Sequence, residues 1–260
     1  MIVELLTLPG IPLVQSGDDL VLLIIDGLAQ ADVYPRDGDI FVLAQKIVSK
    51  AEGRMVDLAT VTPGKKAEEL ALVVNKDPRL VELVLSETAN IILAKPGSLL
   101  VEHRLGFVMP NAGIDMSNIG PPDHEKALLL PVDPDGSAEI LRERLSDAFG
   151  MNVGVVINDS VSRAWRKGSC GVAIGSAGLP VFNDLRGEKD LLGRELKTSI
   201  TGFADEVAAA ASLVMGQRDE GTPIVVIRGL KWPEQKTSAS HLLSRPSVVS
   251  PELVAQVQYA

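Results

Sequence analysis

Val153-Gly154-Val155-Val156-Ile157-Asn158-Asp159-Ser160 is an apolar run that ends in polar side chains. Residues 153–157 read as a continuous apolar strand. The strand delivers an Asp-Ser pair at its carboxyl end, where sheets of α/β type hold metals and phosphates. A carboxylate beside a hydroxyl is a natural ligand set for a Mg2+-bound phosphate. Arg163, Arg166 and Lys167 follow closely, and such cations suit phosphate oxygens. The same residues also suit a helix start, with Asp159 or Ser160 as N-cap and the basic residues on the exposed side.

Upstream, 137–149 has helical spacing, with Ser137 as its cap. Further out, 18–29, 63–74, 78–86 and the alanine-rich 204–215 read as helices. Residues 3–8, 40–44, 91–94, 99–101, 127–131 and 224–227 read as strands, 40–44 as a buried one. Residues 168–193 read as glycine-rich and irregular. Strands and helices mix without a regular βαβ period, and there is no internal repeat. This predicts an α+β fold with mixed sheets and helices rather than a doubly wound sheet.

Of 260 residues, 46% are hydrophobic and only 3% aromatic, so aliphatic side chains must build the core. The formal net charge of -9 repels phosphate backbones and argues against nucleic-acid binding. An acidic protein that handles nucleotides needs a local cation. The lone Cys170 cannot form an internal disulfide, consistent with a reducing cytosol. The N-terminus lacks the pattern of a signal peptide. The apolar run 20–25 falls far short of the roughly 20 residues of a membrane helix. A soluble, cytoplasmic protein is expected.

A second polar constellation is Asn111-Ala112-Gly113-Ile114-Asp115-Met116-Ser117-Asn118. Asp115 is a hard oxygen ligand suited to Mg2+ or Mn2+, although Asn and Asp equally favour a solvated turn. The glycines at 168, 171, 175 and 178 have the composition of a phosphate cradle, but no Gly-Lys-Ser/Thr follows. The charge-dense 184–195 reads best as a solvated face. Asp205 and Glu206 favour a helix dipole, and the small face of 204–215 suggests tight packing or an oligomer interface. His103, His124 and His241 have no zinc-binding spacing.

Together these segments resemble the coenzyme F420:L-glutamate ligase family. The matching stretches are Leu8-Pro9-Gly10-Ile11-Pro12-Leu13, Gln45-Lys46-Ile47-Val48-Ser49-Lys50-Ala51-Glu52-Gly53-Arg54 and Gly106-Phe107-Val108. Also matching are Asn111 to Asn118, Asn158-Asp159-Ser160 with Arg163-Ala164-Trp165-Arg166, Gly171-Val172-Ala173-Ile174-Gly175, Asp184-Leu185-Arg186-Gly187, Ala204-Asp205-Glu206 and Met215-Gly216-Gln217. The likeness covers about residues 3 to 230, taken as a catalytic domain 1–230 with a C-terminal extension 231–260. Asn158 stands where many members show Ser or Thr, and Ser162 where Gly is usual. Some relatives add a C-terminal flavin domain, which is not expected here.

The resemblance implies a ligase-type α+β fold in an intertwined homodimer, with GTP and divalent metal near the subunit interface. Asp115, Asp159 and Ser160 fall at metal-binding positions, with Mg2+ or Mn2+ implied and a role for K+ left open. Ile11, Pro12, Leu13, Val14, Gln45, Lys50 and Asn118 fall where the family contacts the nucleotide. Met215 and Gln217 open a stretch implied to face it too. The implied reaction joins L-glutamate to a coenzyme F420 precursor through an acyl phosphate made with GTP. Asp115, Asp159, Arg163 and Arg166 would serve catalysis, and Lys50 would help neutralise phosphates. Two rivals share this pattern: a GTP-dependent ligase for another carboxylate, and a GTP-binding regulatory protein without ligase chemistry.

Overall fold

Three strands are apolar at nearly every position, so each must be covered on both faces. They are Ile40–Ala44, Gly154–Arg163 in its first half, and Ile224–Arg228. The computed structural model describes residues 1–120, 125–163, 166–232 and 237–243. His124, the Ala164-Trp165 pair and most of the extension beyond 232 lie outside the described residues.

In chain order the elements are β1 (Glu4–Thr7), α1 (Leu20–Gln30), β2 (Ile40–Ala44), α2 (Gln45–Ala51), β3 (Met55–Asp57), α3 (Lys65–Val74) and α4 (Pro78–Ser86). They continue with β4 (Thr88–Lys95), β5 (Ser98–His103), β6 (Val108–Pro110), β7 (Lys126–Leu128), α5 (Pro134–Phe149), β8 (Gly154–Arg163) and β9 (Arg166–Ala177). The last are β10 (Asn183–Asp184), β11 (Ile200–Thr201), α6 (Phe203–Met215) and β12 (Ile224–Arg228).

The main sheet has the order β1-β12-β2-β8-β9. Only the β2–β8 pair is parallel; the other three pairings are antiparallel. Phe41, Leu43, Val155 and Ile157 point to one face and pack with Ile24 and Leu28 of α1 and Leu141 and Leu145 of α5. Ile40, Val42 and Val156 point to the other and pack with Val207, Ala208 and Ala211 of α6. A second core, built on Val74, Val81, Leu99 and Val101, joins α3 and α4 to the β4-β5-β6 sheet. The mixed α+β expectation holds.

A buried charge cluster ties that second core to the chain after α2. Glu87 accepts from Arg54 Nη2 at 3.1 Å and Arg104 Nε at 3.0 Å, with His103 Nε2 at 3.3 Å. Burial pushes the Glu87 carboxyl up, but His103, Arg54 and Arg104 outweigh it and hold it at about 2.

Three expectations need correction. Ser137 does not cap α5. The helix starts one turn earlier, where Asp133 accepts from Gly136 N at 3.0 Å and Pro134 takes the first helical position, which proline's fixed φ suits. Asp159 and Ser160 neither end a strand nor open a helix, because β8 runs on to Arg163. Residues 166–177 are regular strand rather than irregular loop. Gly171 and Gly175 there allow close approach: a Cβ on Gly171 would stand 2.5 Å from the Ala208 carbonyl of α6. This is the tight packing expected of that helix's small face. The charge-dense 184–195 is largely exposed, as expected of a solvated face.

Candidate active site

The parallel ladder of β2 and β8 ends where Ala44 meets Asn158. There β2 passes directly into α2, while β8 continues paired with β9 alone. Asp159 and Ser160 therefore emerge beside the start of α2, where the sheet has lost a strand. A cleft of about 750 Å³ opens at this point. Such a volume suits a small ligand of nucleotide size.

The N-terminal loop contributes Ile11, Pro12, Leu13 and Val14 to its wall. Helix α2 contributes Gln45 and Lys50, the loop before β7 contributes Asn118, and the end of α6 contributes Met215 and Gln217. Every residue predicted to contact a nucleotide thus lines this one cleft. Asp159 and Ser160 line it as well.

Asp115 is not on the wall itself. Its Oδ2 accepts from Lys46 Nζ at 2.8 Å, and Lys46 is a wall residue. Ser117 N donates to Asp115 Oδ1 at 2.7 Å. Lys50 Nζ donates to the Asn118 carbonyl at 2.7 Å, and Asn118 Nδ2 donates to the Arg218 carbonyl at 2.9 Å. These bonds tie the 115–118 loop to α2 and to the loop after α6. Asn118 has φ +56, a left-handed conformation that asparagine tolerates better than most residues.

Arg163 and Arg166 stand apart. Both are exposed, at the far end of the β8–β9 pair, and neither lines the cleft. Among the described residues, Arg163 Nη2 donates to the Gly168 carbonyl at 3.4 Å.

Charge is unevenly balanced here. Burial raises the Asp115 carboxyl, but Lys46 and the Ser117 amide outweigh it and hold it below its ordinary value. Asp159 goes the other way. Burial, with the negative charge of Asp115, pushes it up to about 6, against the Ser160 amide and the charge of Lys46. Lys50 is lowered by burial and by Lys46. Asp115 and Asp159 thus sit close enough for one charge to act on the other. Among the described residues no three His, Cys, Asp or Glu cluster as a metal site. Asp115, Asp159 and Ser160 nevertheless carry hard oxygens of the kind that Mg2+ and Mn2+ prefer. A cation at Asp159 would offset a charge that the protein compensates poorly, so the residues fit the ion.

Lys46, Lys126, Ile119 and Gly120 also line the cleft and were not assigned to it from the sequence. Lys46 could have been found: it lies four residues before Lys50, on the same face of a helix. At seven residues, α2 is too short to show its period.

This architecture defines a class: a mixed α+β protein whose central parallel strand pair opens onto a cleft lined by Lys46, Lys50, Lys126 and Asp159. Residues 10–229 match the model of the family described as F420-0:Gamma-glutamyl ligase. A protein of Methanothermobacter thermautotrophicus named coenzyme F420:L-glutamate ligase is 47% identical over 88% of this chain and 90% of its own length. Proteins of the same name from Methanopyrus kandleri and Archaeoglobus fulgidus are 45% and 43% identical, over 92% and 88% of this chain and 91% and 89% of theirs. The chain therefore belongs to the F420-0:gamma-glutamyl ligase family. Among the described residues no helix is long and apolar enough to cross a membrane.

Proposed function

We propose that this protein joins L-glutamate to the lactyl-phosphate carboxylate of a coenzyme F420 precursor, using GTP and a divalent metal, as an intertwined homodimer. Supporting it are the names of the relatives and one structural observation. Four separate chain segments bring the predicted nucleotide residues into one cleft, beside a carboxylate that is only partly compensated.

A carboxylate does not condense with an amine at neutral pH, because oxide is a poor leaving group. In the proposed reaction, a carboxylate oxygen attacks the terminal phosphorus of GTP, and GDP leaves. The glutamate nitrogen then attacks the acyl carbon, and inorganic phosphate departs with the C–O bond pair while the nitrogen loses a proton. Little covalent chemistry falls to the protein; positioning and charge balance do most of it. Asp115, Asp159 and Ser160 would hold the metal, which supplies charge neutralisation at phosphate oxygens. Lys50, pinned to the Asn118 carbonyl, keeps its ammonium at the cleft wall. The apolar Ile11, Leu13 and Met215 add hydrocarbon to the cleft walls.

The test is mass spectrometry of the F420 precursor after incubation with GTP, L-glutamate and Mg2+ or Mn2+. The expected product is heavier by one glutamyl residue, with one GDP released per bond. GTP turnover without a heavier product would refute the reading, and so would product formed without GTP. Adding other carboxylic acids in parallel separates this ligase from one with a different acceptor.

A further inference from the structure

The Lys46 ammonium is fully engaged by one short segment facing α2. It donates to Asp115 Oδ2 at 2.8 Å, to Ser117 Oγ at 2.6 Å and to the Ser117 carbonyl at 3.1 Å. An ammonium has three N–H donors, and each has an oxygen. Asp115 Oδ1 is meanwhile taken by the Ser117 amide at 2.7 Å. The result is a small oxygen cradle already filled by a cation, and that cation is covalently part of the chain.

We propose that Lys46 is a tethered cation that competes with the divalent metal for Asp115 and so sets the metal's affinity. This rests on the reading of Asp115 and Asp159 as the metal-holding pair. While the site lacks metal, the ammonium balances Asp115 and holds the 115–117 segment against α2. An ion shared by Asp115, Asp159 and Ser160 would approach a carboxylate whose Oδ2 holds the ammonium and whose Oδ1 holds the Ser117 amide. Two cations on one carboxylate repel strongly at such range, so the ion must displace the ammonium. Lys46 is itself a wall residue, and a displaced ammonium stays tethered within the cleft. The neighbouring Lys50 differs in kind, because it bonds a carbonyl of the same loop rather than a carboxylate.

Mn2+ titration without nucleotide, followed by the electron paramagnetic resonance signal of the free ion, tests this on the full chain. Far-ultraviolet circular dichroism checks that each variant is folded. Lys46→Met keeps the stem and removes the charge; it should bind Mn2+ about tenfold more tightly than wild type, given the strength of charge repulsion at this range. Lys46→Arg, which keeps the charge, should bind as weakly as wild type. Lys50→Met should change the affinity by much less than Lys46→Met. A Lys46→Met protein that binds Mn2+ no tighter overturns the inference, and an equal gain from Lys50→Met overturns it too. If wild type binds Mn2+ and Asp115→Asn weakens that binding, the metal reading stands whatever Lys46 does. If no variant binds Mn2+, the metal reading itself fails.

Discussion

Asp159 carries a carboxylate that one backbone amide and a more distant ammonium compensate only in part. Its raised value has a thermodynamic consequence. The folded chain keeps the proton to about 6, whereas an ordinary aspartate releases it near 3.8. Between those values the folded state binds more protons than the unfolded one, so stability falls as pH rises. Above about 6 the full cost remains, roughly 1–3 kcal/mol for a shift of this size. Asp159→Asn removes that cost. In the presence of a chelator it should melt higher than wild type at neutral pH, by about 2–4 °C per kcal/mol. The advantage should vanish near pH 4, and ligation should be lost. A variant that is less stable at neutral pH, or equally advantaged in acid, would contradict this account. Stability given up at a carboxylate lining a cleft is the usual trade at a functional site. The place of Asp159 and Ser160 at the cleft was legible in the sequence, because an apolar strand pointed at them. The charge balance was not, because it depends on Asp115 and Lys46, distant along the chain.

Elements explain what single residues cannot. Strand β9 lies against α6 closely enough that Gly171 has no room for a methyl group. A Cβ there would sit 2.5 Å from the Ala208 carbonyl and 2.6 Å from Asn158 Oδ1. The carbonyl belongs to helical backbone and can withdraw only if α6 shifts. Asn158, next to Asp159, donates to Ser212 Oγ of α6 at 2.9 Å and would be disturbed too. Gly171→Ala should therefore destabilise by about 1–3 kcal/mol, less a few tenths returned by replacing a flexible strand glycine. Urea unfolding should show a lower midpoint with an unchanged slope. An unchanged midpoint would mean that α6 has slack that this packing does not suggest. These glycines looked like a phosphate cradle in the sequence because glycine serves both purposes: it lets a ligand approach backbone, and it lets a helix do so. Composition cannot separate the two, whereas the alanines at 204, 208 and 211 point to the second. Helix α5 shows the same ambiguity at smaller size. Both Ser137 and Asp133 are competent caps, and the proline at 134 decides between them.

At the scale of the whole molecule the cleft is a junction. Its walls come from the N-terminal loop, α2, the loop before β7, mid-β8 and the turn after α6. Hydrophobic periodicity revealed most of the helices and strands, and their irregular order gave the α+β class. It could not show that residues 11–14 and 215–217 line one cleft, since nothing in local pattern records proximity across two hundred residues. Family resemblance supplied that convergence, and the geometry agrees with it. Arg163 and Arg166 mark the limit: charge and nearness to Asp159 suggested a place in the site, but an extended strand carries side chains away by about 3.3 Å per residue. Because the walls belong to distant segments, a ligand that fills the cleft crosslinks the fold. GTP with Mn2+ at one hundred times its dissociation constant should stabilise the chain by about 2.7 kcal/mol. That corresponds to a rise in melting temperature of roughly 5–10 °C for a protein of this size. GTP alone should do far less, because its phosphates would meet Asp159 without a cation between them. Thermal melts in the four combinations of nucleotide and metal measure this directly. Equal shifts from GTP with and without Mn2+ would show that the carboxylates and the nucleotide act independently, and would remove the reason for placing both in one reaction.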